Sequence, residues 1–509
     1  MLTESDIKQI EKHGLTLDKV YRQLETFTRG IPFADVVTTA SIGNGIRQLG
    51  ASERDTMEQL YERRKDGLDI VKFVPASGAA TRMFQFLHEF LENYDPDSEL
   101  YRDYVKRTQS SDLVTFFNGT SDFPFINEVR RKIRKHFPQY KKSSKGHRYY
   151  YFAQAMLDKK LGLNFGQFPK GLIPFHKYKK YATSAFEEQL YEAAFYASVR
   201  DDVYLHFTFS EHHLPMFKKA FESIRNRVSR KTKKTFHISY SFQKKATDTL
   251  AVTMENRPYR DANDQLVFRP SGHGALLENL NEVNADIIFI KNIDNVAARE
   301  FVDEIATYKR ILAGKLIDLQ SKIFGFLHDL EGEVSLEKVK EIQSFIWNEL
   351  DVKELPGGIV AIQEFLNRPI RVCGVVKNTG APGGGPFWVK DERGNISLQI
   401  IEKSQIDDSD PRQRTIVSES THFNPVDLVC GLRDYKGNKF DLSKYADPSQ
   451  GFISNKFEQG NAIRALEFPG LWNGSMAHWT TIFVEVPLRT FNPVKTVNDL
   501  LKREHRPNA

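Results

Sequence analysis

The chain has 509 residues, of which 40% are hydrophobic and 27% are charged, and its formal net charge is +6. This length suits more than one domain, or one large α/β domain with insertions. The mild positive charge gives no reason to expect a nucleic-acid partner. The sequence has no run of about 18 apolar residues, so we expect no transmembrane helix.

Two features indicate the cellular compartment. Cys373 and Cys430 are too few for a disulfide framework, which predicts a reducing environment. The N-terminal residues have neither the basic region nor the apolar region of a secretory signal peptide. We therefore expect a cytoplasmic protein with no membrane partner.

The predicted elements alternate along the chain. Residues 1–66 form an N-terminal helical segment, because Leu15, Val20, Leu24 and Phe27 have helical spacing. A strand at 70–74 is followed by a helical insertion at about 84–165. Further strands are expected at 203–209, 237–242, 286–291, 370–376, 397–402, 428–432 and 480–486, with helices between many of them. This order predicts an α/β fold with a mixed, mostly parallel sheet.

Two short stretches carry the chemistry. Residues 76–80, between the strand at 70–74 and a helix, are all small and could let a backbone approach phosphate closely: Ala76, Ser77, Gly78, Ala79 and Ala80. Arg82 follows them and could neutralise the β and γ phosphates of a triphosphate. Asp294 follows the strand expected at 286–291, and a carboxylate at the end of a strand suits Mg²⁺. The loop is neither a Walker A nor a dinucleotide-binding fingerprint.

Several motifs resemble those of sugar-1-phosphate nucleotidyltransferases. Thr81 begins a Thr-Arg-Met sequence like the end of the family's Gly-Gly-x-Gly-Thr-Arg-Leu/Met signature. Residues 169–174 resemble its Pro-Lys-x-Leu-Leu-Pro element. Residues 270–274 and 292–295 are similar to the Pro-Pro-Gly-His-Gly and Asn-x-Asp-Asn of UDP-glucose pyrophosphorylases, and residues 486–500 resemble the family's C-terminal lysine-bearing stretch. The chain also resembles an uncharacterised bacterial family of domains of unknown function that is distantly related to these enzymes.

The resemblance implies the sheet of the nucleotide-diphospho-sugar transferase type over residues 67–509. It places the sugar-binding and lysine-bearing portion at about 370–509. It implies a Mg²⁺-dependent reaction in which a sugar-1-phosphate, or a similar phosphorylated alcohol, attacks a nucleoside triphosphate and releases pyrophosphate. Such catalysis consists mostly of positioning and charge neutralisation.

The resemblance also assigns roles to individual residues. Asp294 would hold Mg²⁺, and Arg82, Lys170 and Lys495 would neutralise phosphates during catalysis. The nucleotide would be bound by the small-residue loop and by a second set of residues, whose members are Thr81, Gln243, Gly272 and His273. Glu402 and Asn424 would bind the sugar.

Three departures keep alternative functions open. Ser77 and Ala80 stand where the signature has glycine, and Ala275 stands where the family has an acid. One alternative is a glycosyltransferase that uses a nucleotide sugar, for which Arg82 and Lys170 would be superfluous. The other is a catalytically degenerate regulatory protein that binds a nucleotide sugar.

Overall fold

The computed structural model describes residues 2–76, 78, 80–380, 384–458 and 460–507. Two compact units divide the chain. The first unit consists of Met1–Phe73, Ser241–Ile290 and Tyr308–Leu488, and the second of Val74–Tyr240, Lys291–Thr307 and Arg489–Ala509. Each unit is therefore built from three separate stretches of sequence.

The helices and strands alternate much as expected. The helices are α1 (Glu4–His13), α2 (Leu17–Arg29), α3 (Ala51–Arg64), α4 (Gln85–Asn93), α5 (Tyr101–Thr108), α6 (Ser111–Asn118), α7 (Ile126–His136), α8 (Lys145–Leu157), α9 (Ala185–Tyr196), α10 (Leu214–Thr232), α11 (Leu276–Glu282), α12 (Val302–Asp329), α13 (Leu336–Glu349), α14 (Gly358–Leu366) and α15 (Pro411–Ser418). The strands are β1 (Asp35–Thr39), β2 (Ser41–Ile42), β3 (Gly45–Arg47), β4 (Ile70–Pro75), β5 (Pro174–Lys177), β6 (Ala182–Ser184), β7 (Ser198–Val199), β8 (Asp202–Thr208), β9 (Thr235–Ser241), β10 (Thr249–Leu250), β11 (Phe268–Arg269), β12 (Ile287–Lys291), β13 (Ile370–Lys377), β14 (Gly385–Lys390), β15 (Ile396–Ile401), β16 (His422–Gly431), β17 (Phe452–Glu458), β18 (Asn461–Glu467) and β19 (Thr480–Glu485).

The first unit contains a sheet in the order β2-β3-β19-β13-β16-β12-β4. The pairs β2–β3, β3–β19, β19–β13 and β12–β4 are parallel, while β13 and β16 are antiparallel. All five residues of β12 and all ten of β16 are buried, as is typical of strands covered on both faces. The expected mixed, mostly parallel sheet is confirmed.

The second unit holds the helical segment between α4 and α8 and the strand pairs β5–β6, β7–β8 and β8–β9. Its helical segment packs around stacked and edge-on aromatic rings, among them Phe90, Tyr101, Phe117 and Tyr149. Where β4 ends, the N–H of Ala76 donates to the carbonyl of Thr208, 2.8 Å away, which fixes the end of β4 beside β8.

Within residues 1–66 the structure has the expected helices α1 to α3 and, in addition, strands β1 to β3. The segment is therefore not purely helical, because residues 35–47 lack helical periodicity and pair with β14 and β19. Across the described ranges, no helix combines the length and the apolarity that crossing a membrane requires. Cys373 and Cys430 are both buried free thiols.

Candidate functional site

The loop that follows β12 holds Asp294 in a fixed position. The N–H of Ile293 donates to the carbonyl of Pro75 at 3.1 Å. The side-chain amide of Gln189, on α9, donates to the carbonyls of Asn292 and Ile293 at 2.9 and 3.2 Å. Because the neighbouring backbone groups are satisfied in this way, the loop presents the Asp294 carboxylate from a rigid support.

Lys170 contacts Asp294 directly. Its Nζ lies 2.5 Å from Oδ2 of Asp294, and each side chain is 20% exposed. The lysine begins a short 3₁₀ turn, Lys170–Leu172. A Cβ on the next residue, Gly171, would lie only 2.9 Å from Cγ1 of Ile293. Glycine at this position therefore lets the turn approach the Asp294 loop closely.

The stretch Arg489–Ala509 brings Lys495 to the same loop. The N–H of Val494 donates to the carbonyl of Asp294 at 3.2 Å, and the N–H of Asn492 donates to Oδ1 of Asn295 at 2.8 Å. Burial lowers the pKa of Lys495, and the charge of Asp294 opposes this effect. We call Lys170, Asp294 and Lys495 the strand-end cluster; its two ammonium groups and one carboxylate suit a phosphate.

The small-residue loop after β4 differs from the expected anion site. The N–H of Ala80 donates to the carbonyl of Phe168 at 3.0 Å, and the Thr81 hydroxyl donates to the carbonyl of Gly166 at 2.9 Å. The N–H of Ala76 is also used, by Thr208. Phosphate donors predicted at Ala76, Ala80 and Thr81 are therefore engaged inside the protein, and residues Ala80–Phe84 form a 3₁₀ turn. Ser77 and Ala79 lie outside the described residues.

Gly78 and Arg82 remain available in this loop. Gly78 has φ +125°, which favours glycine, and no heavy atom lies within 4 Å of a Cβ built on it. Arg82 is exposed, and its side chain makes no hydrogen bond or ion pair with any residue that the structure describes. An arginine of this kind can turn towards a phosphate.

In the first unit, His273 lies between two glycines with different structural roles. Gly272 has φ +81°, and a Cβ on Gly274 would lie 2.1 Å from the carbonyl oxygen of Pro469. Nδ1 of His273 accepts the N–H of Leu471 at 3.0 Å, so the ring proton is on Nε2. The Trp472 ring stacks on the imidazole at a centroid distance of 4.2 Å.

Glu402, which directly follows β15, faces His273. Its Oε1 lies 3.7 Å from Nε2 of His273. The neighbouring His273 imidazole lowers the pKa of Glu402, burial opposes this effect, and the amide of Asn473 adds to it. Glu402 is therefore an ionised acceptor beside an aromatic surface. We call His273, Glu402 and Trp472 the His273 cluster.

Sequence reasoning missed Trp472 and Asn473. The only signal was the run Leu471-Trp472-Asn473-Gly474, which combines an aromatic ring, an amide and a turn residue in a protein with 4 tryptophans. Such a run suits a binding surface, but nothing local connects it with His273.

Two predicted binding residues, Gln243 and Asn424, form hydrogen bonds with residues outside the His273 cluster. The amide of Gln243 donates to Oδ1 of Asp248 at 3.3 Å. Asn424 is 2% exposed, and its amide donates to the carbonyl of Gly374 while its Oδ1 accepts the N–H of Val426. Asn424 thus supports the backbone at Val426, which has φ +56°, and its amide is not open to a sugar.

The donor chemistry at Asp294 fits a metal that arrives with phosphate. Among the described residues, no group of three or more His, Cys, Asp or Glu side chains is arranged to hold a metal ion. Mg²⁺, however, usually binds to one or two carboxylates together with substrate phosphates and water. The Asp294 carboxylate already forms an ion pair with one cation, the Lys170 ammonium. These residues are therefore consistent with a Mg²⁺ site that has a single protein carboxylate.

Comparisons with known proteins give a family and several similar folds. The model of a family described as a domain of unknown function, DUF4301, matches residues 3–506. No curated protein sequence matches the chain.

Three solved structures have a similar fold. The uridine diphosphate N-acetylglucosamine pyrophosphorylase from Trypanosoma brucei, in complex with inhibitor, has a TM-score of 0.49 at 11% identity, over 98% of this chain and 79% of that chain. The UDP-glucose pyrophosphorylase from Leishmania major gives 0.44 at 12% identity, over 99% and 79%. The UDP-glucose phosphorylase from Trypanosoma brucei gives 0.44 at 12% identity, over 98% and 80%.

Proposed function

The chain belongs to the DUF4301 family of domains of unknown function, and we propose that it transfers a nucleotidyl group from a nucleoside triphosphate to a sugar-1-phosphate. The observation that carries this proposal is the strand-end cluster. Lys170 and Asp294 are in contact, and the electrostatic influence of both on Lys495 puts the second ammonium group close to them. Two cations around one strand-end carboxylate suit a reaction between two phosphate groups.

In the proposed reaction, a phosphate oxygen of the sugar-1-phosphate forms a bond with the α-phosphorus of the triphosphate. The bond between the α-phosphorus and the bridging oxygen breaks, and pyrophosphate leaves with that electron pair. Lys170 and Lys495 would hold phosphate oxygens. Their positive charges would reduce the electrostatic repulsion between the two negatively charged reactants. Arg82, which is exposed beside the Gly78 loop, would bind the departing pyrophosphate.

Mg²⁺ is part of the proposal, with Asp294 as its protein ligand. When bound, the ion would neutralise phosphate oxygens as a hard Lewis acid. Lys170 would then exchange its contact with Asp294 for one with phosphate. The rigid support from Gln189 and Pro75 keeps Asp294 in place while this exchange occurs.

The His273 cluster suits the neutral part of a substrate. An ionised glutamate accepts hydrogen bonds from hydroxyl groups, and the partly buried Trp472 ring, stacked on His273, adds apolar surface beside it. We assign Glu402 to a ribose or sugar hydroxyl. The base and the sugar are left to the experiment.

The test is pyrophosphate release by the full chain with Mg²⁺, across a grid of nucleoside triphosphates and sugar-1-phosphates. We expect release to need one specific pair and to fall by about 10²–10³-fold in Asp294→Asn and in Lys495→Ala. Asp18→Asn and Lys322→Ala are matched controls. Each side chain is exposed and, within the described part of the chain, pairs only with a residue one turn away in its own helix, which is α2 for Asp18 and α12 for Lys322.

Other outcomes identify the alternatives. Transfer of sugar from a nucleotide sugar to an acceptor, without any need for a triphosphate, would favour a glycosyltransferase. Binding of a nucleotide sugar, seen as a raised melting temperature without turnover across the whole grid, would favour a regulatory protein. Equal pyrophosphate release by Asp294→Asn and the unaltered chain would overturn the role of the strand-end cluster.

A further inference from the structure

The first unit contains a cavity of about 1060 Å³ that none of the site predictions involves. Part of its lining is buried: Trp479, Thr480 and Thr481 have 3%, 4% and 6% exposure, and we call them its inner wall. This volume is just above the range of about 300–1,000 Å³ that is usual for small-molecule sites. We call it the Arg368 cavity, after the cation beside this wall.

Arg368 is held in a defined orientation in the cavity. Its Nε donates to the hydroxyl of Thr480 at 3.1 Å. Its guanidinium carbon lies 3.7 Å from the centroid of the Phe365 ring, a cation–π contact. Both contacts leave the two terminal nitrogens of the guanidinium for another partner. A planar fork fixed in this way can bind an anion through two parallel hydrogen bonds.

No carboxylate among the described residues forms an ion pair with Arg368. Burial lowers the pKa of its guanidinium to about 10. A cation taken partly out of water without a counter-charge is costly. A bound anion would remove this cost, whereas a purely structural role for the side chain would not.

The acidic residues of the lining are engaged elsewhere or are exposed. Asp351 pairs with Arg47 at 3.2 Å, and Asp447 accepts hydrogen bonds from Ser449 and Gln450. Asp391 is turned towards the backbone of its own turn. The remaining acids are exposed to solvent, where water screens them: Glu25, Glu354 and Glu392.

We propose that the Arg368 cavity is a second ligand site, which binds a small phosphorylated anion through the Arg368 guanidinium. The site is independent of the strand-end cluster, because its residues belong to the first unit and those of the cluster to the second. It does not rest on the proposed transferase function.

A chain of contacts leads from the cavity wall to the His273 cluster. Thr481 accepts a hydrogen bond from Nε of Arg371 at 2.8 Å. Nη1 of Arg371 donates to the carbonyl of Trp472 at 2.5 Å, and the Trp472 ring stacks on His273. The inner wall of the cavity and the His273 cluster are therefore linked by direct contacts within the first unit.

The test is calorimetric titration of the full chain with inorganic phosphate and, separately, with glucose 6-phosphate. We expect Arg368→Gln to weaken binding by about tenfold or more, because a charge-assisted hydrogen-bond pair is lost. Arg368→Lys keeps the charge but not the fork, and should lie between. Thr480→Val should also weaken binding, since it frees the guanidinium. Tighter binding of glucose 6-phosphate than of phosphate would identify a sugar phosphate as the ligand class.

Matched variants separate this site from the strand-end cluster. Arg412→Gln removes an exposed arginine elsewhere in the first unit and should bind as the unaltered chain does. Lys495→Ala weakens any binding of the probes at the strand-end cluster, so the binding that it retains reports on the Arg368 cavity. Unchanged affinity in a folded Arg368→Gln would overturn the proposal. So would a loss of binding in Lys495→Ala alone, or the absence of binding of either probe at millimolar concentration. Melting temperatures of all variants show whether each is folded.

Discussion

The ammonium of Lys170 lies 2.5 Å from the carboxylate of Asp294, although 124 positions separate the two residues in the chain. The contact joins a 3₁₀ turn to the loop after a strand end, and it occupies one oxygen of the carboxylate that we assign to a metal ion. Lys170 and a divalent cation therefore compete for Asp294.

This competition predicts opposite effects from one substitution. In Lys170→Met, we expect Mg²⁺ alone to bind at least about fivefold more tightly, because a unit charge at about 4 Å is worth roughly 1 kcal/mol even in water. The affinity for a nucleoside triphosphate should fall, since a phosphate partner is lost. Titration with each ligand measures both effects, and Lys322→Met is the control. A parallel loss of both affinities would contradict the competition.

Gly274, which follows His273, is a glycine because the backbone at Pro469 approaches it closely. A Cβ on Gly274 would lie 2.1 Å from the carbonyl oxygen of Pro469, so Gly274→Ala must push apart the segments that carry His273 and Trp472. We expect a loss of about 1–3 kcal/mol in the free energy of unfolding, as in other overpacked sites. Urea denaturation measures it. Gly332→Ala, with no atom within 4 Å of its Cβ, should change stability little; equal effects in both variants would refute this explanation.

A buried ion pair supports the strand that leads to Asp294. Nζ of Lys291 lies 2.8 Å from Oε2 of Glu192, with side-chain exposures of 0% and 2%, and the hydroxyl of Tyr196 donates to the other oxygen of Glu192. Lys291→Met should destabilise the fold by about 3–5 kcal/mol, because it removes an ammonium group that pairs with the buried Glu192 carboxylate.

The double variant Lys291→Met with Glu192→Gln should regain at least half of this loss. It removes the charge and keeps an acceptor for Tyr196. Urea unfolding at neutral pH compares the single and double variants. A double variant no more stable than Lys291→Met would show that packing, and not the loss of the ion pair, sets the cost.

A pair of histidines predicts acid sensitivity in the second unit. Nδ1 of His505 lies 3.0 Å from Nε2 of His176, whose Nδ1 lies 3.1 Å from Glu188. Burial, and then the charge of His176, lower the pKa of His505 well below 6.5. The folded chain therefore binds fewer protons than the unfolded chain as the pH falls below 6.5.

Stability should decline with falling pH in that window by up to about 1.4 kcal/mol per pH unit from this residue. His505→Gln cannot titrate and should flatten the pH dependence, while keeping an acceptor for His176. Unfolding free energies of both chains across the window test this. Parallel curves would show that His505 is not the titrating group.

The fold was predictable where local pattern decides the structure. Strand β4 is apolar except for Lys72, and β12 is apolar up to Lys291; a short, mostly apolar run bounded by turn residues favours a buried parallel strand. Strands β1 to β3 were missed, because they are short and gain their hydrogen bonds from β14 and β19, far along the chain. The local hydrophobic pattern cannot predict a strand whose partners lie far away in the sequence.

The same reason limits the prediction of the sites. Lys170, Asp294 and Lys495 were expected from the resemblance, and the structure brings them together. Thr81 was expected to bind nucleotide, but its hydroxyl donates to Gly166, 85 positions away. Asn424 was expected to bind sugar, but its amide supports the backbone at Val426. Whether a polar side chain serves a ligand or the fold depends on tertiary partners that a motif does not specify.

The stretch that carries Lys495 has a consequence for biosynthesis. Asp294 leaves the ribosome about 200 residues before Lys495, a delay of roughly 10–40 s at bacterial and eukaryotic elongation rates. Until then, the carbonyl of Asp294 lacks the N–H of Val494, and the second ammonium is missing. A nascent chain that has already folded its earlier strands therefore lacks part of the strand-end cluster, and proteolytic removal of residues 489–509 would have the same effect on the full chain.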